Sequence, residues 1–210
     1  MANFNASMGS KLGAGISSSL GVRGPGGKAH YNFTRFNNWD VVMGRVDIVG
    51  EGEQRFHPSF FAENATNLLP GRRLYIDLTG TKTFPTEVVL GKIETKLAFP
   101  TESGVIYRFR YQLAGNQRGG SGFSVRVTFG TLFTVDWLEP SGSTPFVQLQ
   151  DDIVGDGDSH KIGFEQMVPL LSGNIGNLLN DVSLKRLDTG EVLFHDDFDD
   201  EYTDEFTILG

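Results

Sequence analysis

Histidine, serine and paired carboxylates are the residue types in this chain that could support hydrolysis. The four histidines lie in polar or turn-like surroundings, and no serine stands in the G-x-S-x-G pattern of a strand-to-helix nucleophile elbow. A glycosidase needs two facing carboxylates, but 26 acidic residues always supply some pair, so their number does not discriminate. The chain has no cysteine, which excludes a thiolate nucleophile and a thiolate metal site. We assign no catalytic residue and predict a protein that is not an enzyme.

Oxygen ligands are concentrated in the segment 151–158, which reads DDIVGDGD. Carboxylates in a glycine-containing loop suit Ca²⁺. However, no glutamate closes the loop at the twelfth position, so the EF-hand spacing is absent. An ordinary acidic turn is the simpler interpretation. The sequence predicts no cofactor and leaves a structural Ca²⁺ open, without assigned ligands.

Three side chains are candidates for contact with a small ligand: Asn116, Arg118 and Trp137. Asn116 and Arg118 lie in a turn, where the alternative is that they bind backbone carbonyls across the edge of the fold. Trp137, next to Asp136, could offer a platform to a sugar ring. Most aromatic residues at alternating strand positions belong to the core, and this interpretation is favoured for Tyr107 and Tyr111.

Strict alternation marks the segment 105–113 as a half-buried strand. One face carries Val105, Tyr107, Phe109, Tyr111 and Leu113, and the other carries Ile106, Arg108, Arg110 and Gln112. Glycine-rich turn signals follow, and alternation resumes over 123–129, which predicts that the two strands form one antiparallel hairpin. The side chain of Phe109 is expected to point into the core.

Other short apolar runs, separated by turns, predict an all-β fold. The expected strands are 40–49, 73–78, 92–99, 132–137, 146–150, 161–166, 182–187 and 191–194, and the turn 188–190 should close a hairpin between the last two. The segment 54–71 is the least periodic. We predict an antiparallel two-sheet jelly-roll sandwich with an extended N-terminal arm and an acidic C-terminal tail.

Two peptides resemble the signatures of a known family. The segment 113–120 resembles "LAGNQRG", and 174–184 resembles "NxGxLLDNVSL", both typical of a β-sandwich domain in exported bacterial proteins sorted by a PEP-type anchor. The chain reads Asn180-Asp181 where that family usually reads Asp-Asn. The family is similar in turn to galactose-binding-like jelly rolls that include carbohydrate-binding modules. The resemblance, over 39–187, implies a jelly-roll sandwich with a binding or structural role.

Composition limits the partners of the chain. A net charge of −8 with 18 scattered basic residues argues against nonspecific binding of nucleic acid, which needs clustered cations. No run of 18 apolar residues predicts a membrane span, and the start of the chain does not have the pattern of a secretory signal. Neither nucleic acid nor membrane is therefore expected as a partner.

The two ends have opposite charge. Residues 1–30 form a Gly/Ser-rich basic arm, 31–195 the sandwich, and 196–210 an acidic tail with an apolar end. The ends are expected to make intermolecular contacts, with charges setting register and apolar groups adding affinity. The predicted interface residues are Lys11, Arg23, Lys28, Arg35, Phe206, Ile208 and Leu209.

These features lead to two main hypotheses for function, beside a glycosidase or other hydrolase on the same scaffold, since the fold alone does not fix function. The first is a structural component of an assembled particle such as a phage virion, in which a decoration or cement protein binds a shell protein or copies of itself. The alternative is a glycan-binding module on a phage fibre or a bacterial surface, and therefore extracellular. An exposed aromatic strip over a sheet would favour the second hypothesis.

Overall fold

The computed structural model describes residues 36–44, 46–50, 74–79, 90–117, 123–167 and 176–198. Within these ranges the chain forms thirteen β-strands and no helix. A helix able to cross a membrane is accordingly absent from the described residues. The strands are β1 (Trp39–Met43), β2 (Asp47–Gly50), β3 (Leu74–Asp77), β4 (Lys92–Thr95), β5 (Phe99–Pro100), β6 (Ile106–Ala114), β7 (Ser124–Phe129), β8 (Phe133–Leu138), β9 (Val147–Val154), β10 (Ser159–His160), β11 (Ile162–Met167), β12 (Leu178–Arg186) and β13 (Val192–Asp196).

The strands form two antiparallel sheets. The five-stranded sheet has the order β1-β4-β11-β7-β8, and the six-stranded sheet has the order β2-β3-β12-β6-β9, with β13 also paired to β12. Strands β5 and β10 form a separate two-stranded ladder. The prediction of an all-β, antiparallel jelly-roll sandwich is confirmed.

The core is built from alternate residues of the strands. In β6, Tyr107, Phe109 and Tyr111 are buried, whereas the intervening Arg108 and Arg110 reach the surface. Phe109 is 0% exposed, and its ring centroid lies 4.9 Å from that of Tyr111. Removing apolar surface from water is the main stabilising contribution of such residues. The prediction that Phe109 points into the core is confirmed.

The predicted hairpin between 105–113 and 123–129 is wrong. Strand β6 pairs with β9 and β12 in the six-stranded sheet, while β7 pairs with β8 and β11 in the five-stranded sheet. Both strands bury one face in the same core, so both alternate. Alternation does not distinguish strands paired within a sheet from strands that face each other across a sandwich. The connection between them therefore passes from one sheet to the other.

The hairpin predicted near the C-terminus is confirmed. Strands β12 and β13 pair in antiparallel register, with Ser183 opposite His195 and Leu184 opposite Phe194. Gly190 has a φ of 78° in the connecting turn, a conformation that glycine adopts without steric cost.

Several predicted strand boundaries differ from the observed ones. The predicted strand 92–99 is divided into β4 and β5, and the predicted strand 182–187 begins four residues earlier, at Leu178. The predicted strand 40–49 is interrupted at Gly44, which has a φ of 60° and where a Cβ would overlap the carbonyl of Leu90. Conversely, β9 continues to Val154, so the first half of the acidic segment 151–158 is strand, not loop. Each of its residues from Leu149 to Val154 has a partner in β6, and this pairing extends the strand.

The sandwich continues beyond residue 195. Asp196 ends β13, and its Oδ2 accepts a 2.8 Å hydrogen bond from Trp39 Nε1. Phe198 is fully buried, with its ring centroid 5.8 Å from that of Trp39. The tail predicted from residue 196 thus begins inside the sandwich. The predicted arm lies outside the described residues, as does the segment 54–71.

Candidate functional site

The outer surface of the six-stranded sheet carries an array of polar side chains. Because Phe109 and Tyr111 point inward, Arg108, Arg110 and Gln112 point outward from β6. The register aligns polar residues of β9, β12 and β13 beside them. We call this set the polar face: Arg108, Arg110, Gln112, Gln148, Gln150, Asp152, Asp181, Ser183, Lys185 and His195.

A row of hydrogen bonds crosses four strands of the polar face. Gln112 Nε2 donates to Gln148 Oε1 at 3.2 Å on β9 and to Asp181 Oδ2 at 3.1 Å on β12. The other carboxylate oxygen of Asp181 accepts a 3.1 Å hydrogen bond from His195 Nε2 on β13. Gln148 Nε2 donates in turn to the backbone carbonyl of Tyr111 at 3.1 Å. These contacts orient the side chains before any ligand is present.

A bulge in β12 turns Asp181 onto the polar face. The pairing of β12 with β6 shifts between Asn180 and Ser183, and Asp181 has a φ of 49°. Asn180 is buried, and its Oδ1 accepts a 2.9 Å hydrogen bond from the backbone N–H of Asp181. Bulges commonly re-aim side chains at functional sites, and left-handed backbone at a non-glycine residue is uncommon. The bulge therefore places the carboxylate of Asp181 on the polar face, where it accepts hydrogen bonds from Gln112 and His195.

One acceptor in the middle of the polar face is unsatisfied. Gln112 Oε1 is buried from solvent and has no hydrogen-bond partner among the described residues. The amide orientation is fixed by its neighbours, because Nε2 donates to two oxygen acceptors. A buried acceptor without a partner is rare in native proteins.

The charges on the polar face differ in how they are paired. Arg108 forms a two-pronged ion pair with Asp152, with both N–O distances 2.8 Å, and its hydrogen bonds lower the pKa of Asp152. Arg110 donates from Nε to Gln150 Oε1 at 2.7 Å and forms no ion pair with any described residue. Lys185 is exposed and likewise forms no ion pair within the described part of the chain.

Apolar side chains border the polar face. Ile106 and Val154 are directly opposite each other on β6 and β9, and they are 44% and 58% exposed. At the other end of these strands Ala114 and Leu178 are buried in a small cluster with Tyr75. The polar face therefore lies between an exposed apolar border and a buried one.

The backbone fold is similar to several solved sandwich domains. TmCBM61, a carbohydrate-binding module solved with β-1,4-galactotriose, matches 73% of this chain and 91% of its own length, at 15% identity and a TM-score of 0.43. The CBM22-1 xylan-binding domain of Paenibacillus barcinonensis Xyn10C matches 75% of this chain and 92% of its own length, at 15% identity and a TM-score of 0.37.

The enzymatically active domain of tailspike protein 4 of bacteriophage CBA120 also resembles the chain. The match covers 74% of this chain and 20% of that domain, at 12% identity and a TM-score of 0.46, so the chain spans about a fifth of the tailspike domain. No protein-family model and no curated protein matches the chain. At these identities the similarity concerns the course of the backbone, and the function has to follow from the side chains of this chain.

The predicted ligand residues do not lie together on the polar face. Asn116 is fully buried, and its Nδ2 donates a 3.2 Å hydrogen bond to Glu139 Oε1. Trp137 packs, partly buried, against the main core. Arg118 lies outside the described residues, as do all seven predicted interface residues. The ligand and interface assignments of these residues remain predictions.

The two peptides that resemble a family signature meet inside the protein at Glu139. Asn177, at a variable position of the segment 174–184, donates a 2.8 Å hydrogen bond to Glu139 Oε2, and Asn116 of the segment 113–120 bonds to Oε1. Burial raises the pKa of Glu139, and the bonds from Asn177 and Asn116 oppose that rise. Gly176 is required beside Asn177 because a Cβ there would lie 2.6 Å from the backbone nitrogen of Thr79. Asn116, Gly176 and Asn177 therefore hold neighbouring loops together.

The acidic segment 151–158 is engaged in local hydrogen bonds. Asp156 Oδ1 accepts from His160 Nε2 at 2.9 Å, from the Asp158 N–H at 2.9 Å and from Thr101 Oγ1 at 3.1 Å. The hydrogen bond from His160 is the main cause that lowers the pKa of Asp156 to about 2. Among the described residues, no group of three or more acidic or histidine side chains is placed to hold a metal ion.

Part of the polar face can be predicted from the sequence. Alternation in β6 assigns Arg108, Arg110 and Gln112 to the surface, but it does not reveal what lies beside them. The pairing with β9 and the bulge at Asp181 are products of tertiary structure. An exposed aromatic strip, which would have favoured sugar binding, does not occur among the described residues, whose large exposed apolar side chains are all aliphatic.

Proposed function

We propose that this chain is a glycan-binding module that holds a saccharide on the polar face without cleaving it. The observation that carries the proposal is the row of hydrogen-bonded polar side chains from four strands on that face, Gln148, Gln112, Asp181 and His195. These side chains are already oriented, so a saccharide that binds to them does not have to order them first. The proposal follows the alternative derived from the sequence rather than the virion hypothesis, whose predicted contacts lie outside the described residues.

The mixture of groups on the polar face suits sugar hydroxyls. Each hydroxyl both donates and accepts, so it pairs with amides, carboxylates and guanidinium groups alike. Gln148 and Gln150 are exposed beside Gln112 and Arg110, at the spacing of opposite residues in a sheet, about 5 Å. The C–H surface of a sugar ring can pack on Ile106 and Val154, where apolar contact is favourable.

Other classes of ligand fit this surface less well. Nucleic acid needs clustered cations, and the net charge of the chain is −8. A peptide added as a strand would use a sheet edge, not the face. Binding without hydrolysis is proposed because the carboxylates on the face are engaged: Asp152 pairs with Arg108, and Asp181 accepts from Gln112 and His195. Such a module acts where its glycan is exposed, at a cell surface or in the extracellular space.

A glycan array followed by calorimetry on the full chain tests the proposal. Gln112→Ala and Gln150→Ala should each weaken the binding of the selected glycan by about tenfold, because each removes one or two hydrogen bonds. Thr134→Ala, on the outer face of the other sheet, is the matched control and should bind like the unchanged chain. Binding that is insensitive to both glutamine substitutions would place the site elsewhere. The release of reducing ends on incubation would contradict the absence of catalysis.

A further inference from the structure

We infer that the glycan is acidic and that a sugar carboxylate binds between Arg110 and Lys185; this rests on the proposed glycan binding. The observation behind it is the contrast between neighbouring cations on one face. Arg108 donates two hydrogen bonds to Asp152, whereas Arg110, two residues along the same strand, has only a neutral amide as its hydrogen-bond partner.

Arg110 is held ready for an anion. Its Nε donates to Gln150 Oε1 at 2.7 Å, which fixes the guanidinium plane. The bond to a neutral amide leaves the positive charge in place. Guanidinium groups present parallel donors that match the two oxygens of a carboxylate, and such charge-assisted bonds are about twice as strong as neutral ones.

Lys185 supplies a second cation beside Arg110. Ser183 is opposite Arg110, and Lys185, two residues further along β12, is opposite Arg108. Arg110 and Lys185 therefore occupy diagonal positions, about 7–8 Å apart at the backbone. The Arg110 guanidinium is held on the β9 side of β6 by Gln150, and the lysine side chain is long enough to extend across β6 from β12, so both cations can contact the same carboxylate.

Each carboxylate of the polar face has a closer partner than Arg110 or Lys185. The hydrogen bonds from Arg108 are the main cause that lowers the pKa of Asp152, and the charge of Arg110 adds to that effect. Asp181 accepts hydrogen bonds from Gln112 and His195 at the end of the face nearer Leu178. Arg108, Arg110 and Lys185 carry three positive charges against two from Asp152 and Asp181. The face is locally positive in a chain whose net charge is −8.

The test uses oligosaccharides of galacturonate, mannuronate and hyaluronan, each compared with its carboxyl-reduced neutral form, together with a sulfated galactan. At least one acidic oligosaccharide should bind the full chain about tenfold more tightly than its reduced form. Arg110→Gln should abolish that ratio, Arg110→Lys should retain part of it, and Lys185→Gln should reduce it. Arg126→Gln, which removes an ion-paired arginine from the other sheet, should leave it unchanged.

The outcomes separate this inference from the function on which it rests. Neutral forms that bind as well as the acidic ones, or a preference for the sulfated galactan, would overturn the carboxylate inference and leave glycan binding standing. An acidic preference that survives Arg110→Gln would also overturn it. If neither acidic nor neutral glycans bind, both the inference and the proposed function are wrong.

Discussion

Asn177 donates a 2.8 Å hydrogen bond to the carboxylate of Glu139, which is buried between the two signature segments. Asn116 bonds to the other oxygen of the same carboxylate, so one side chain joins two loops that lie more than 50 residues apart in the chain. Buried carboxylates are tolerated when their oxygens are satisfied, and here two amides satisfy them. The peptides that resemble a family signature therefore stabilise the sandwich.

Asn177→Ala should lower the free energy of unfolding by about 1–3 kcal/mol, because it leaves a buried oxygen of Glu139 without its donor and the amide of Gln166 without one of its acceptors. Urea unfolding measures the change. Ser143→Ala, at an exposed position in a nearby loop, is the control and should change stability by less than about 0.5 kcal/mol. Equal stability of the two variants would show that the bond to Glu139 contributes nothing.

Phe109→Ala should cost about 3–5 kcal/mol, because it removes a fully buried aromatic ring from the middle of the core. Leu97→Ala is the control, since Leu97 is 73% exposed. Chemical unfolding of both variants gives the comparison. A loss below about 1 kcal/mol for Phe109→Ala would contradict the core described above.

Asp156 makes stability depend on pH in a defined window. Its pKa is lowered to about 2 in the folded protein, first by the hydrogen bond from His160. The folded state therefore binds this proton more weakly than the unfolded chain, and the stabilisation is present above about pH 4 and lost as the pH falls towards about 2. Asp156→Asn should flatten the dependence of unfolding free energy on pH in that window. Asp158→Asn is the control, and identical pH profiles for both variants would contradict the assignment.

Asp181→Gly should separate stability from binding. The substitution relieves left-handed backbone at a non-glycine residue, which costs about 1–2 kcal/mol, but it removes the acceptor for Gln112 and His195. We expect the free energy of unfolding to change by less than about 1 kcal/mol, while glycan affinity falls by about tenfold. A variant that binds as tightly as the unchanged chain would show that the bulge serves only the fold.

Truncation tests where the sandwich ends. A chain of residues 1–198 keeps Asp196 and Phe198, which contact Trp39, whereas a chain of residues 1–195 loses both. The shorter chain should be less stable by about 3–5 kcal/mol, the cost of removing a buried aromatic side chain. Thermal unfolding compares the two, and equal midpoints would mean that the sandwich already ends at residue 195.

The positions of many strands follow from the local sequence, but the way in which the strands pair does not. Alternation around Phe109 identifies a strand and its buried face, and Gly190 marks the turn of the last hairpin. The strands that pair with β6 could not be predicted in this way. Its partner β9 begins more than 30 residues later, and a facing strand in the other sheet has the same alternation. Pairing is decided by packing of the whole core, which single-strand patterns do not contain.

The candidate site was less accessible to sequence reasoning than the core. Arg110 and Gln112 could be assigned to the surface, but their neighbours Gln150, Asp181 and His195 come from three other strands. The side chain of Asp181 faces these residues only because a bulge reorients it, and no residue pattern in β12 predicts that bulge. Asn116 attracted a functional interpretation because it stands in a signature, yet its amide is bound to Glu139 in the interior.

The most direct test of the central claim is a titration of the full chain with its selected glycan, followed through the side-chain amide resonances of Gln112, Gln148 and Gln150. These three residues report on the polar face, and Asn116 and Asn177 report on the interior in the same spectrum. We expect the three glutamine resonances to shift with saturation while those of Asn116 and Asn177 stay in place. Shifts confined to the outer face of the five-stranded sheet or to the loops, with the three glutamines unchanged, would contradict the account.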